Sequence, residues 1–91
     1  MDTSGFHVSG HNVSAINWEK IITHVIIETS GTITSSTSSS ITFTKNTANY
    51  NIDFSKQLIV LTKIPNQVPI FRFPKIPPMI MLLKNYMKNK L

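Results

Sequence analysis

The chain has 91 residues, no Cys, three Gly, five Pro and a formal net charge of +5, and only 14% of its residues are charged. That length holds one small domain, too short for a multidomain enzyme or a doubly wound nucleotide-binding sheet. The missing Cys excludes disulfides, Cys-based zinc sites and a thiol nucleophile. The charge is uneven. Residues 1–54 carry Lys20 and Lys45 against Asp2, Glu19, Glu28 and Asp53, a net −2, whereas residues 55–91 carry seven cations and no carboxylate, a net +7. Such a cationic block attracts acidic protein surfaces, phosphate or anionic lipid. Ile, Asn and Lys together supply 29 residues, so part of that basicity also fits a biased coding sequence.

Residues 1–13 are punctuated by Gly and Ser with no period and are expected to be a mobile leader, with residues 14–91 as a single domain. Residues 1–20 lack the continuous apolar run of a signal peptide. The apolar stretch 58–83 is broken by five prolines and three cations, so no transmembrane helix is expected from it. The compartment stays open.

From Ser14 a helical pattern begins. Ala15, Trp18, Ile21, Ile22, Val25 and Ile26 share one arc of the wheel, with Asn17, Lys20, Thr23 and His24 opposite. Ser14 can cap this helix, and Gly31 stands where a C-terminal cap belongs. Against this, residues 21–29 are almost all β-branched, which favours a strand, so the pattern supports helix over 14–23 and leaves 22–29 between helix and strand. Residues 29–40 hold ten Ser or Thr in twelve positions and are expected to be a solvated connector; a hydroxyl-lined strand is the alternative.

Period-two alternation follows. Ile41 and Phe43, then Tyr50, Ile52 and Phe54, flank a polar turn at 45–49, which predicts a β-hairpin over 40–55 with one aromatic face. Further strands are expected near 57–62 and 68–73, the latter at an edge because its prolines cannot donate to a ladder. From Met79 the pattern turns helical again. Ile80, Leu82, Leu83, Tyr86, Met87 and Leu91 cover one half of the wheel, and Lys84, Asn85, Lys88 and Asn89 the other. The expected fold is therefore α+β or mainly β, a small antiparallel sheet with a terminal helix at one or both ends.

Candidate chemistry is thin. His7 and His11 have i, i+4 spacing, but Val8 stands where a zinc-protease motif needs Glu, and Gly5 and Gly10 argue against a helix. His24 is expected to be solvated or paired with Glu28. Four scattered carboxylates, three glycines and no Gly-x-Ser-x-Gly turn leave no carboxylate pair, phosphate loop or serine triad to assemble. No enzyme activity, cofactor or metal site is expected.

The basic amphipathic segment 79–91 is the leading site. Lys84 and Lys88 would supply charge, and Leu83, Tyr86 and Met87 apolar contact, to an acidic protein partner. The bland reading is that this helix covers the protein's own sheet. A second candidate is the strip Phe71, Arg72, Phe73 and Lys75, whose alternation of rings and cations suits single-stranded nucleic acid, although an edge strand burying its two Phe reads the same way. An anionic membrane surface is a third partner class. Self-association through strand edges is a fourth. A weakly constrained chain with no dedicated site is the remaining reading.

Overall fold

The computed structural model describes residues 16–91. The expected leader and its histidines, and Ser14 as a cap, lie outside the described residues. In chain order the elements are α1 (Trp18–Glu28), β1 (Thr32–Ser36), β2 (Ser40–Lys45), β3 (Ala48–Asp53), β4 (Leu58–Ile64), β5 (Val68–Pro74), a 3-10 turn (Pro77–Met79) and α2 (Ile80–Lys90). The strands form one antiparallel sheet in the order β1-β2-β3-β4-β5, each paired with its sequence neighbours. The α+β class is as expected, with both helices present.

The β-branched run 21–28 is helical. A helix cap is available at each end, and one continuous apolar stripe can be buried, which together outweigh a propensity loss of a few tenths of a kcal/mol per residue. Asn17 Oδ1 accepts from Lys20 N at 3.1 Å, satisfying one of the free N–H groups of the first turn. At the other end Ser30 takes the left-handed conformation (φ 73°). Ser30 N donates to Ile27 O at 3.1 Å and Gly31 N to Ile26 O at 2.8 Å, the paired bonds of a Schellman cap. Gly31 therefore follows the left-handed residue rather than occupying it. Its smallness answers a close approach: a Cβ there would lie 2.7 Å from Ile26 Cγ2 and 3.2 Å from Phe43 Cδ2.

The Ser/Thr tract corrects the expected connector. Residues 32–36 pair with β2, Ile33 opposite Phe43 and Ser36 opposite Ile41, with a bulge at Thr34. The rest of the tract is a tight turn in which Thr37 Oγ1 accepts from Ser39 N and Ser40 N at 3.2 and 3.0 Å. Short hydroxyl side chains compete well for local backbone groups, so this composition makes a hairpin loop. The hairpin 40–55 is as read. Its two-residue turn places Asn46 and Thr47 at φ 50° and 66°, the doubly left-handed geometry that matches strand twist.

All of the apolar alternation in β2 and β3 points to one face. Ile41, Phe43, Tyr50, Ile52 and Phe54 join Ile59 and Leu61 of β4 and Phe73 of β5 beneath the two helices. Phe43 and Tyr50 stack at 5.4 Å between centroids. From α1 come Ile22, Val25 and Ile26, and from α2 Leu83 and Met87, all buried. Thr29 seals the junction: its hydroxyl donates to Val25 O at 2.8 Å and lies 3.9 Å from Met87 Sδ.

Candidate functional site: the helical groove and the open sheet face

The residues expected to contact a partner divide sharply. Leu83 and Met87 are fully buried in the core. Tyr86 is half-buried, its ring stacked on Phe71 at 4.6 Å. The apolar half of α2 thus lies on the protein's own sheet, because an 11-residue helix needs such a surface to be ordered. Lys84 and Lys88 lie outside that contact. Lys84 Nζ reaches Glu28 Oε1 at 2.7 Å, and Lys88 is exposed. Leu82, assigned by its wheel position to the covered half, is exposed, as is Met81.

The strip 71–75 is likewise split by the sheet. Phe73 is buried and Phe71 half-buried on the helix-covered side, where their rings pack against each other at 5.4 Å. Arg72 points to the opposite face. Lys75 folds back to donate its Nζ to Phe54 O and stands 6.0 Å from the Trp18 ring centroid. Every Phe and Tyr of the strands lies on the helix-covered side, so among the described residues the open face of the sheet carries no row of rings.

Glu28 ties the two helices together. Its carboxylate accepts from Lys84 and lies 2.9 Å from His24 Nε2. The Lys84 hydrogen bond, with His24 and the Lys84 charge assisting, holds the Glu28 pKa below its ordinary 4.5. Because the folded value is depressed, this contribution is present above pH 4.5 and is lost as the pH falls through the lowered folded value. Asp53 is depressed from 3.8 for a different reason, hydrogen bonds from the Ser55 hydroxyl and backbone N–H. Lys84→Ala should therefore return Glu28 toward 4.5 and leave Asp53 unmoved. Carboxyl NMR titration of both residues checks this, and equal shifts in the two would refute it.

Beside that ion pair, α1 and α2 enclose a groove of about 440 Å³. Ile21, Val25 and Ile80 form its floor, and Lys20, Thr23, His24, Ile27 and Lys84 its rim. Ile27 is 61% exposed. Sequence reasoning missed this site. Its one signal was Ile27, an apolar residue outside the arc that the rest of the helix buries.

Among the described residues, the far face of the sheet carries no helix. On β2 and β3 it is polar, with Thr42, Thr44, Asn49 and Asn51, as antiparallel sheets with one wet face require. β4 breaks that rule. Ile59 and Leu61 point into the core, yet Leu58, Val60 and Ile64 are apolar on the open side, and Leu58 is 45% exposed. A shallow trough of about 730 Å³ lies over β3 and β4, bounded at the strand ends by Lys56, Gln57 and Gln67.

Among the described residues no group of three His, Asp or Glu is placed to hold a metal ion, and no helix is long and apolar enough to cross a membrane. The arrangement defines a two-layer α+β domain with two surfaces that no other described element covers, the groove between its helices and the open face of its sheet. Comparison with known proteins finds no matching family model, no matching curated protein and no matching solved structure.

Proposed function

We propose that this protein is a small non-enzymatic binding module whose helical layer docks an acidic, amphipathic segment of a partner protein. The observation that carries this is the α1–α2 groove: an apolar floor whose charged rim residues are Lys20 and Lys84, the latter paired with Glu28 just outside the lining. Lys88 extends the positive strip one turn along α2. An amphipathic helix with Leu or Ile on one side and Glu on the other fits such a groove through apolar anchors and charge complementarity. Leu83 and Met87 hold α2 on the sheet, and this reading takes Lys84 and Lys88 as the charged contacts.

The test is a titration of the full chain with a synthetic Glu- and Leu-rich amphipathic peptide, followed by ¹H–¹⁵N correlation spectra. Shifts should concentrate at Lys20, Ile21, Thr23, His24, Ile27, Ile80 and Lys84. Ile27→Asp, at an exposed position, should remove them without loss of peak dispersion. A Lys-rich peptide of equal hydrophobicity should not bind; equal response to both peptides, or to neither, sinks the reading. Anionic vesicles form a further arm. Selective broadening at Met81 and Leu82, which lie outside the groove, would favour a membrane surface instead.

A further inference from the structure

The bare face of the sheet raises a question independent of the helical groove: what covers β4, a strand apolar on both sides? Strands of that kind are characteristic of sheets buried on both faces. The register supplies the clue. Asp53 of β3 pairs with Val60 of β4, and Val60 pairs with Arg72 of β5. All three stand in one row on the open face, with carboxylate and guanidinium on opposite sides of Val60, about 10 Å apart at two inter-strand spacings. Asp53 belongs to the trough, which β3, β4 and their turns line. Arg72 belongs to the β5 half, which contributes nothing to the trough lining. One half of the face is concave and bears Asp53 with Lys56 at its strand end, and the other bears the exposed, long cationic side chain of Arg72.

We propose that this face is a self-docking surface on which two copies of the chain pack sheet to sheet about a two-fold axis running along β4. That axis exchanges the β3 and β5 halves. Each Arg72 then enters the partner's trough, its stem against the partner's Val60 and its guanidinium on the partner's Asp53, and the contact is made twice. Leu58 and Val60 meet their own counterparts on the axis, so the apolar rib of β4 is covered by itself. Such an isologous contact needs one patch that is complementary to itself, and the Asp53–Val60–Arg72 row is such a patch. Only β3, β4 and β5 overlap about that axis, so three strands at ~4.8 Å by about six residues at ~3.3 Å give a face of roughly 300 Å² on each copy. That lies below the standard range of specific interfaces, so the dimer is weak, transient and concentration-dependent.

Sedimentation velocity of the full chain from micromolar to millimolar concentration tests the proposal. The wild type should pass from monomer to dimer across that range. Arg72→Asp alone and Asp53→Arg alone should each weaken association at least tenfold, because each places like charges opposite one another twice. An equimolar mixture of the two variants should restore a dimer, since every Asp then meets an Arg. Leu58→Glu should also give a monomer, and its exposed position keeps this arm usable if loss of the Asp53–Ser55 turn prevents Asp53→Arg from folding, as judged by amide dispersion. A wild type that stays monomeric at millimolar concentration overturns the proposal. So does a dimer indifferent to Arg72→Asp and Leu58→Glu, which would place the contact elsewhere, for example at the β1 edge. Failure of folded variants to associate on mixing overturns it as well.

Discussion

Phe43→Ala is expected to destabilise the chain by about 3–5 kcal/mol, the usual cost of emptying a buried aromatic site. Phe43 has no exposed surface. It stacks on Tyr50 from the next strand, stands opposite Ile33 of β1 and lies against the cap of α1 through Gly31. The neighbouring backbone is held by ladder bonds on both sides, so the cavity has little freedom to collapse. Since a domain of this size has only about 5–15 kcal/mol in total, the variant should lose more than about 10 °C in Tm. Urea unfolding followed by Trp18 fluorescence and far-UV circular dichroism measures the change. A loss below about 1 kcal/mol would mean that Phe43 is not the centre of the core.

Leu83→Ala should cost about 2–5 kcal/mol, and its readout separates two views of α2. If the helix is part of the fold, global stability falls and the amides of β3 and β4 lose hydrogen-exchange protection together with those of α2. If the helix were an appendage awaiting a partner, its own amides would exchange fast in the wild type and the variant would leave the sheet unchanged. The buried positions of Leu83 and Met87 and the Tyr86–Phe71 stack predict the first outcome. Lys88→Glu, at an exposed site, should leave stability within about 0.5 kcal/mol of wild type.

Local patterns carried much of this fold. The alternation Ile41, Phe43, Tyr50, Ile52, Phe54 marked the hairpin and its buried face because one side of each strand is dry and the other wet. The arc Ile22, Val25, Ile26 marked the buried stripe of α1 in the same way. The pattern failed where the contrast was weak. β1 is an edge strand whose main inward apolar residue is Ile33, so a composition of Ser and Thr concealed it. Residues 21–29 gave conflicting signals because β-branching speaks for a strand while the apolar spacing speaks for a helix, and the caps at Asn17 and Ser30–Gly31 decide between them. The candidate sites were half legible. Basicity and amphipathicity of 79–91 were visible, but the groove beside it needs Ile21 and Lys20 from a helix some sixty residues earlier. Likewise, the run 58–61 is apolar throughout, and only the placement of both helices on one face leaves Leu58 and Val60 on the other.

The sequence by itself determined which residues pair locally, where the chain turns and which side chains seek burial, because those depend on near neighbours and on period. Tertiary structure decided what each apolar surface is used for. It placed Leu83 and Met87 against the chain's own sheet and turned Phe71 and Phe73 inward. It also left Ile27 at the rim of the groove between the helices and aligned Asp53, Val60 and Arg72 across three strands. A helix wheel or a strand period shows that a face is apolar. Which surface meets that face is set by the docking of distant elements, because the hydrophobic effect rewards burial without naming a partner.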